Sequence, residues 1–184
     1  MESFTDHDLM LKVKSGDLDK LALIYERNWK RLFGFFFKMC GSRTVSEDLV
    51  QNVFIKIIKY KHTYRSEGSF DSWIFGLSRN LFYDYYNKNV KENNVDALSP
   101  SENELHDPND STGKWEDSDN SVLLWSALHR LSPEKREILI LSVYKGLKFR
   151  EVAGILRCSE GTARVRAFRA LNDLRKFFLQ SETS

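Results

Sequence analysis

Apolar residues recur at three- and four-residue steps along most of this chain rather than in strict alternation, a pattern that predicts helices almost throughout. In the first half, helices are expected over 6–15, 18–40, 46–60 and 70–89, separated at Gly16, at Gly41 and Ser42, and at Glu67 and Gly68. The most apolar run, LFGFFFKMC over 32–40, is broken by Gly34 and Lys38 and falls far short of the roughly 20 residues needed to span a bilayer. It predicts a buried helix and no direct membrane insertion. In the third helix Ser46 is the expected N-cap, and Leu49, Val50, Val53, Phe54, Ile57 and Ile58 share one apolar face. Asp48, Gln51, Asn52, Lys56 and Lys59 are left on the other side.

The second half predicts a helix over 123–131 and another opened by Ser132 as N-cap and Pro133 in the first helical position, ended by Gly146. A short helix over 149–156, a turn over 157–159 and a longer basic helix over 160–178, capped by Ser159, have the proportions of a helix-turn-helix. Ala163, Ala167, Ala170, Leu171 and Leu174 are spaced to pack on Val152, Ala153 and Leu156, so that Arg164, Val165, Phe168 and Arg169 point away. In a major groove such a face reads DNA: arginine donates bidentately to guanine, and an apolar side chain touches a thymine methyl.

Charge sharpens the division. The net charge of +2 over 184 residues says little, but residues 1–91 hold 15 basic and 11 acidic side chains, 92–120 hold 1 and 9, and 121–178 hold 12 and 5. The acidic stretch contains Pro100, Pro108 and Gly113 among Ser, Asn, Asp and Glu, and predicts a flexible linker. Such a linker serves solubility alone, or it mimics nucleic acid or passes through a partner's basic channel. The expected architecture is therefore all-α: two small helical domains at 1–91 and 121–178, the acidic linker at 92–120, and a tail at 179–184. Two cysteines without CxxC spacing, Cys40 and Cys158, fit a reduced, cytoplasmic protein. His7, His62, His106 and His129 are scattered, and no nucleophile constellation or metal-ligand spacing stands out, so no cofactor and no enzymatic activity are expected.

Both halves resemble, in order, parts of the extracytoplasmic-function group of bacterial sigma factors in the sigma-70 family. SEDLVQNVFIKI over 46–57 is similar to the region 2 helix that binds the clamp of core RNA polymerase, and FDSWIFGLSRNLFYDYYNK over 70–88 to the segment that recognises and opens the minus-10 element. The stretch from Leu131 to Arg175 resembles region 4 throughout, most specifically in SEGTARVRAFRAL over 159–171. The resemblance implies polymerase contact by Asp48, Gln51 and Asn52. It implies minus-10 contact by Asn80, Tyr83, Tyr86, Lys88 and Lys91, and minus-35 contact by Arg164, Val165, Phe168 and Arg169. Phe70, Trp73 and Phe75 match positions that chiefly pack the region 2 core. Core RNA polymerase, promoter DNA and an anti-sigma factor are the implied partners. Two rivals are a ligand- or phosphorylation-controlled helix-turn-helix regulator, which would need a sensor domain in front, usually α/β, and a helical enzyme or adaptor.

Overall fold

The computed structural model describes residues 4–65, 67–91 and 119–182, and every regular element among them is helical. The first half comprises α1 (Asp6–Ser15), α2 (Lys20–Cys40), α3 (Arg43–Tyr60) and α4 (Phe70–Lys91), with a 3₁₀ turn at Lys61–Thr63. The second comprises α5 (Asp119–Arg130), α6 (Pro133–Leu139), α7 (Phe149–Leu156) and α8 (Glu160–Glu182). The expected linker, except for its last two residues, lies outside the described residues.

Local chemistry sets most boundaries. Thr5 and Asp8 form a reciprocal box at the start of α1: the Asp8 N–H donates to Thr5 Oγ1 over 3.2 Å and the Thr5 N–H to Asp8 Oδ2 over 2.9 Å. Gly41 ends α2 with φ +72°, a left-handed turn that a side chain would strain. The helix after it departs from expectation: α3 starts at Arg43 with Ser42 as N-cap, while Ser46 is fully buried. Ser46 Oγ donates to the Ser42 carbonyl over 2.6 Å and lies 3.4 Å from Cys40 Sγ. A buried hydroxyl between two helices must find such partners, and here that need outweighs its aptitude as a cap.

α2 is the centre of the first half. Leu32, Phe33, Phe35, Phe36, Phe37, Met39 and Cys40 are all buried, as the unbroken apolar run predicts. Consecutive buried positions leave no solvent face, because α1, α3 and α4 cover α2 on the first-half side while α6 touches it from the second. Phe75 of α4 meets Phe35 edge-on at 5.6 Å between centroids, and Phe70 and Trp73 pack on Tyr64 at 6.3 and 5.1 Å. Arg31 of α2 holds Asp71 of α4 through two parallel hydrogen bonds of 3.0 and 2.8 Å, fixing the direction in which α4 leaves the core.

In the second half α8 is the spine, packed against α5, α6 and α7. Ala163, Ala167 and Ala170 are buried where it crosses its neighbours, and their small side chains let the backbones approach. Leu171, expected on the same face, is instead 49% exposed, because one further residue around the helix carries it past the contact stripe. Gly146 has the expected positive φ, but the helix before it does not stay α-helical: Ile140–Tyr144 widens into a π turn. Between α7 and α8, Arg157 takes φ +52° and the Cys158 N–H reaches back to the Ala153 carbonyl over 3.0 Å, closing α7 as a glycine would.

Candidate functional site

Three exposed helix faces carry the candidate residues. On α3, Asp48, Gln51 and Asn52 all face solvent, on the side opposite Leu49, Val50, Val53 and Ile57. The surprise is apolar. Ile58, expected in the core, is 46% exposed, and Ile55 is 62% exposed. At about 100° per residue, positions 48, 51, 52, 55 and 58 form a single stripe, and its two isoleucines face outward, largely uncovered by the other described residues. Exposed isoleucines grouped with polar side chains make this stripe a candidate interaction surface. Sequence periodicity counted both Ile57 and Ile58 as core, but the buried face is centred on Val53 and Ile57, and at about 100° per residue Ile58 falls beyond Phe54 at its edge.

On α4, the structure brings together fewer of the candidates than the resemblance implies. Asn80 and Lys88 are exposed, and the side chain of Lys91 lies outside the described positions. Tyr86 is half-buried, stacked on Phe82 with centroids 5.9 Å apart, and roughly 120° around the helix from Asn80. Tyr83 is also half-buried. Its ring lies 4.7 Å from the Arg79 guanidinium, and its hydroxyl donates to Glu137 Oε2 of the second half over 3.1 Å. Burial, reinforced by the Glu137 carboxylate, pushes the Tyr83 phenol far above its ordinary pKa, so it is a neutral donor.

On α8, the Ser159 hydroxyl caps the helix by accepting from the Thr162 N–H over 3.1 Å. Val165 and Phe168 are 50% and 65% exposed, and Arg164 and Arg169 are exposed beside them. Phe168 is among the most exposed large apolar side chains described, and with Val165 and Leu171 one turn to either side it makes a contiguous apolar patch of the kind that marks an interaction surface. Arg164 is tethered, its Nη2 2.6 Å from Glu160 Oε1 and its guanidinium 4.9 Å from the Phe149 ring. An arginine held by an exposed i,i+4 partner gives it up at little cost, so it is aimed without being trapped.

Glu137 and Arg79 are the residues the sequence did not single out. Glu137 is 1% exposed, and its Oε1 lies 3.0 Å from Arg79 Nε of α4. Burial raises its carboxyl to about 7, against the opposing pull of Arg79. A charged residue inside the EILIL stretch over 137–141 was the available signal, but its partner comes from the other half of the chain and no spacing links them. No group of three or more metal-ligating side chains occurs among the described residues.

Comparison with known families and structures agrees with this arrangement. Sigma-70 region 2 matches residues 24–92 and Sigma-70 region 4 matches residues 121–174. RNA polymerase sigma factor CarQ of Myxococcus xanthus is 28% identical over 94% of this chain and 97% of its own length. The ECF RNA polymerase sigma-E factor of Haemophilus influenzae is 27% identical over 92% and 93%. The same fold occurs in the sigma factor RpoE of Bartonella quintana, solved with the anti-sigma factor NepR, with a TM-score of 0.67 at 24% identity over 90% of this chain and 96% of that one. It occurs again in CnrH, solved with the cytosolic domain of CnrY, with a TM-score of 0.69 at 19% identity over 97% and 99%. The chain belongs to the extracytoplasmic-function subfamily of the sigma-70 family and is an RNA polymerase sigma factor, which directs transcription initiation at promoters. This is not an enzyme family. The rival regulator is not favoured, since the first half matches region 2 where that reading needs a sensor domain. Among the described residues no helix is long and apolar enough to cross a membrane.

Proposed function

We propose that the chain works as a two-handed promoter reader, with the first domain over 1–91 held on core polymerase by Asp48, Gln51 and Asn52. To the residues the family suggests we add Ile55 and Ile58, whose exposure in the same stripe is the observation that most supports this surface as the polymerase contact. Asn80 then receives an unstacked minus-10 base, and Tyr83, Tyr86, Lys88 and Lys91 support the separated strand. Stacking on an aromatic ring is worth roughly 1–3 kcal/mol per base, enough to offset much of the few kcal/mol that unstacking costs. Arg164, Val165, Phe168 and Arg169 of the second domain read the minus-35 element. Neither half need bind tightly, because each holds the other at high local concentration once both are on one polymerase. Catalysis belongs to the polymerase, the protein acts in the cytoplasm, and an anti-sigma factor restrains it, as the relatives solved with such partners suggest.

Competition with a second sigma factor for core polymerase tests the contact. Asp48→Arg, Gln51→Ala and Ile55→Ala should each lose affinity without losing helicity, the charge reversal most. Unchanged competition by all three removes α3 as the polymerase surface.

A further inference from the structure

Lys56 and Lys59 of α3 have no part in the reading above, and they open a basic run. From Leu49 to Ser66 the chain has no acidic residue, while Lys56, Lys59, Lys61 and Arg65 are cationic and His62 stands among them. Lys59, His62 and Arg65 are exposed, and Lys56 and Lys61 are half-buried. None of these cations forms an ion pair with another described residue, although Arg27, Arg31, Arg43 and Arg79 of the same half all do. The ammonium groups of Lys56 and Lys59 lie 5.4 and 5.5 Å from the centroid of the Tyr60 ring, which gathers both at the end of α3.

The run ends against α4. Tyr64 is buried, packed on Trp73 with centroids 5.1 Å apart. Two residues of α1 hold it there: His7 Nδ1 lies 2.7 Å from its hydroxyl, and Lys14 Nζ donates to its carbonyl over 2.5 Å. The 3₁₀ turn at Lys61–Thr63 is therefore fixed in place beside the first turn of α4. At about 100° per residue Trp73, Leu77 and Asn80 fall within about 60° of one another on α4. Trp73 is roughly 10 Å from Asn80 along the axis, and Lys88 roughly 12 Å from it in the opposite direction. Asn80 is thus bracketed by cations, with Lys88 on one side and the basic turn, beyond Trp73, on the other.

We propose that Lys59, Lys61, His62 and Arg65 form a phosphate track for the opened promoter strand, carrying it on past the base that Asn80 receives. This rests on the reading of Asn80 given above, in which every further strand contact, from Tyr83 to Lys91, lies to its C-terminal side. The chemistry of the turn selects the ligand. Its exposed side chains from 59 to 65 are Lys59, His62, Thr63 and Arg65, with no apolar residue to anchor a protein partner. Unpaired cations beside aromatic rings are instead how proteins follow a nucleic-acid backbone without reading its sequence. A single strand can bend from the face of α4 onto the turn, whereas a duplex is stiff over about 150 base pairs. At about 3.4 Å per stacked nucleotide the distance from Asn80 to Trp73 takes up about three nucleotides, so the turn meets the phosphates that follow.

Holoenzyme assembled from core polymerase and the full chain tests the track by its affinity for single-stranded oligonucleotides from a promoter mapped for this protein. One carries the minus-10 element alone, and two others extend it at the 5′ or the 3′ end by about six nucleotides, twice the reach to Trp73. The wild type should bind one of the extended strands at least about tenfold more tightly than the element alone. Lys59→Gln/Lys61→Gln/Arg65→Gln should lose that gain and bind the element alone as before. Its log–log salt slope on the extended strand should be shallower by about 2, from three contacts at about 0.7 each. Lys59→Arg/Lys61→Arg/Arg65→Lys, which keeps every charge, should restore the gain and the slope. A glutamine variant that keeps the gain, or that weakens on all three strands alike, overturns the track, and so does a loss that the charge-conserving variant fails to restore. Asn80→Ala binding the element alone like the wild type would overturn the reading of α4, whereas a gain that still depends on the three cations would uphold the track.

Discussion

The two halves solve the same problem, holding a helix out for a partner, with opposite materials. The first is built on aromatic bulk: Phe33, Phe35, Phe36, Phe37, Phe75, Phe82 and Tyr64 are all essentially inaccessible, and long helices surround them. The second has no comparable aromatic centre among its fully buried side chains. Its spine rests on Ala163, Ala167 and Ala170 against short helices. An aromatic core resists deletion poorly, because each ring removed leaves a large void. An alanine seam resists enlargement poorly, because its function is to let two backbones come close. On the reading proposed above, the half that would withstand DNA melting has the first kind of core, and the half that would place a helix in a groove has the second.

The largest expected effect is therefore in the first half. Phe36→Ala should cost about 3–5 kcal/mol, and in thermal unfolding it should melt the α1–α4 transition while leaving that of α5–α8 in place. Ala167→Leu inverts the experiment. Overpacking the seam should cost about 1–3 kcal/mol, lower the stability of the second half alone, and abolish minus-35 binding by tilting α8. If both substitutions destabilise both halves equally, the halves are one cooperative unit and the contrast fails.

The divide between them should respond to pH. The carboxyl of Glu137 faces Arg79 and Tyr83 from α4 and Glu134 on its own helix, in a cleft that Lys135, Arg166 and Arg169 also line. Burial between the two halves lifts it from 4.5 to about 7, so packing the halves together takes up a proton. Its contribution is full below about pH 4.5 and is lost as pH rises through 7. Scattering at pH 5.5 and pH 8 should show the more compact particle at the lower pH, and Glu137→Gln should erase the difference. Opening at acid pH would reverse the sign of this account. The smallest effect is local: Ser159→Ala removes one cap and should cost about 1 kcal/mol, seen as earlier fraying at the start of α8 by amide exchange.

How much of this was legible in the sequence follows from how local each feature is. Helices α1 and α7 have the bounds their periodicity and caps predict, and the buried face of α8 was marked by its alanines. Ser46 was misread because a side chain that suits a cap also suits a buried bridge, and only the approach of Cys40 decides between them. The exposure of Asp48, Gln51, Asn52, Arg164 and Phe168 could be read from the helix that carries each. The half-burial of Tyr83 could not, since it depends on Glu137, 54 positions away in the chain.

The central claim is that the two exposed faces perform separate DNA tasks, one on duplex and one on opened strand. Permanganate reactivity of unpaired thymines, measured with polymerase recruitment on one promoter that depends on its minus-35 sequence, separates them. Asn80→Ala should recruit polymerase nearly as well as wild type yet leave the thymines protected, because its partner base does not exist in closed duplex. Arg164→Ala and Arg169→Ala should instead lose recruitment, with a true bidentate contact worth roughly 1–3 kcal/mol of base discrimination. Normal opening by Asn80→Ala, or normal recruitment by both arginine variants, would contradict this division of labour.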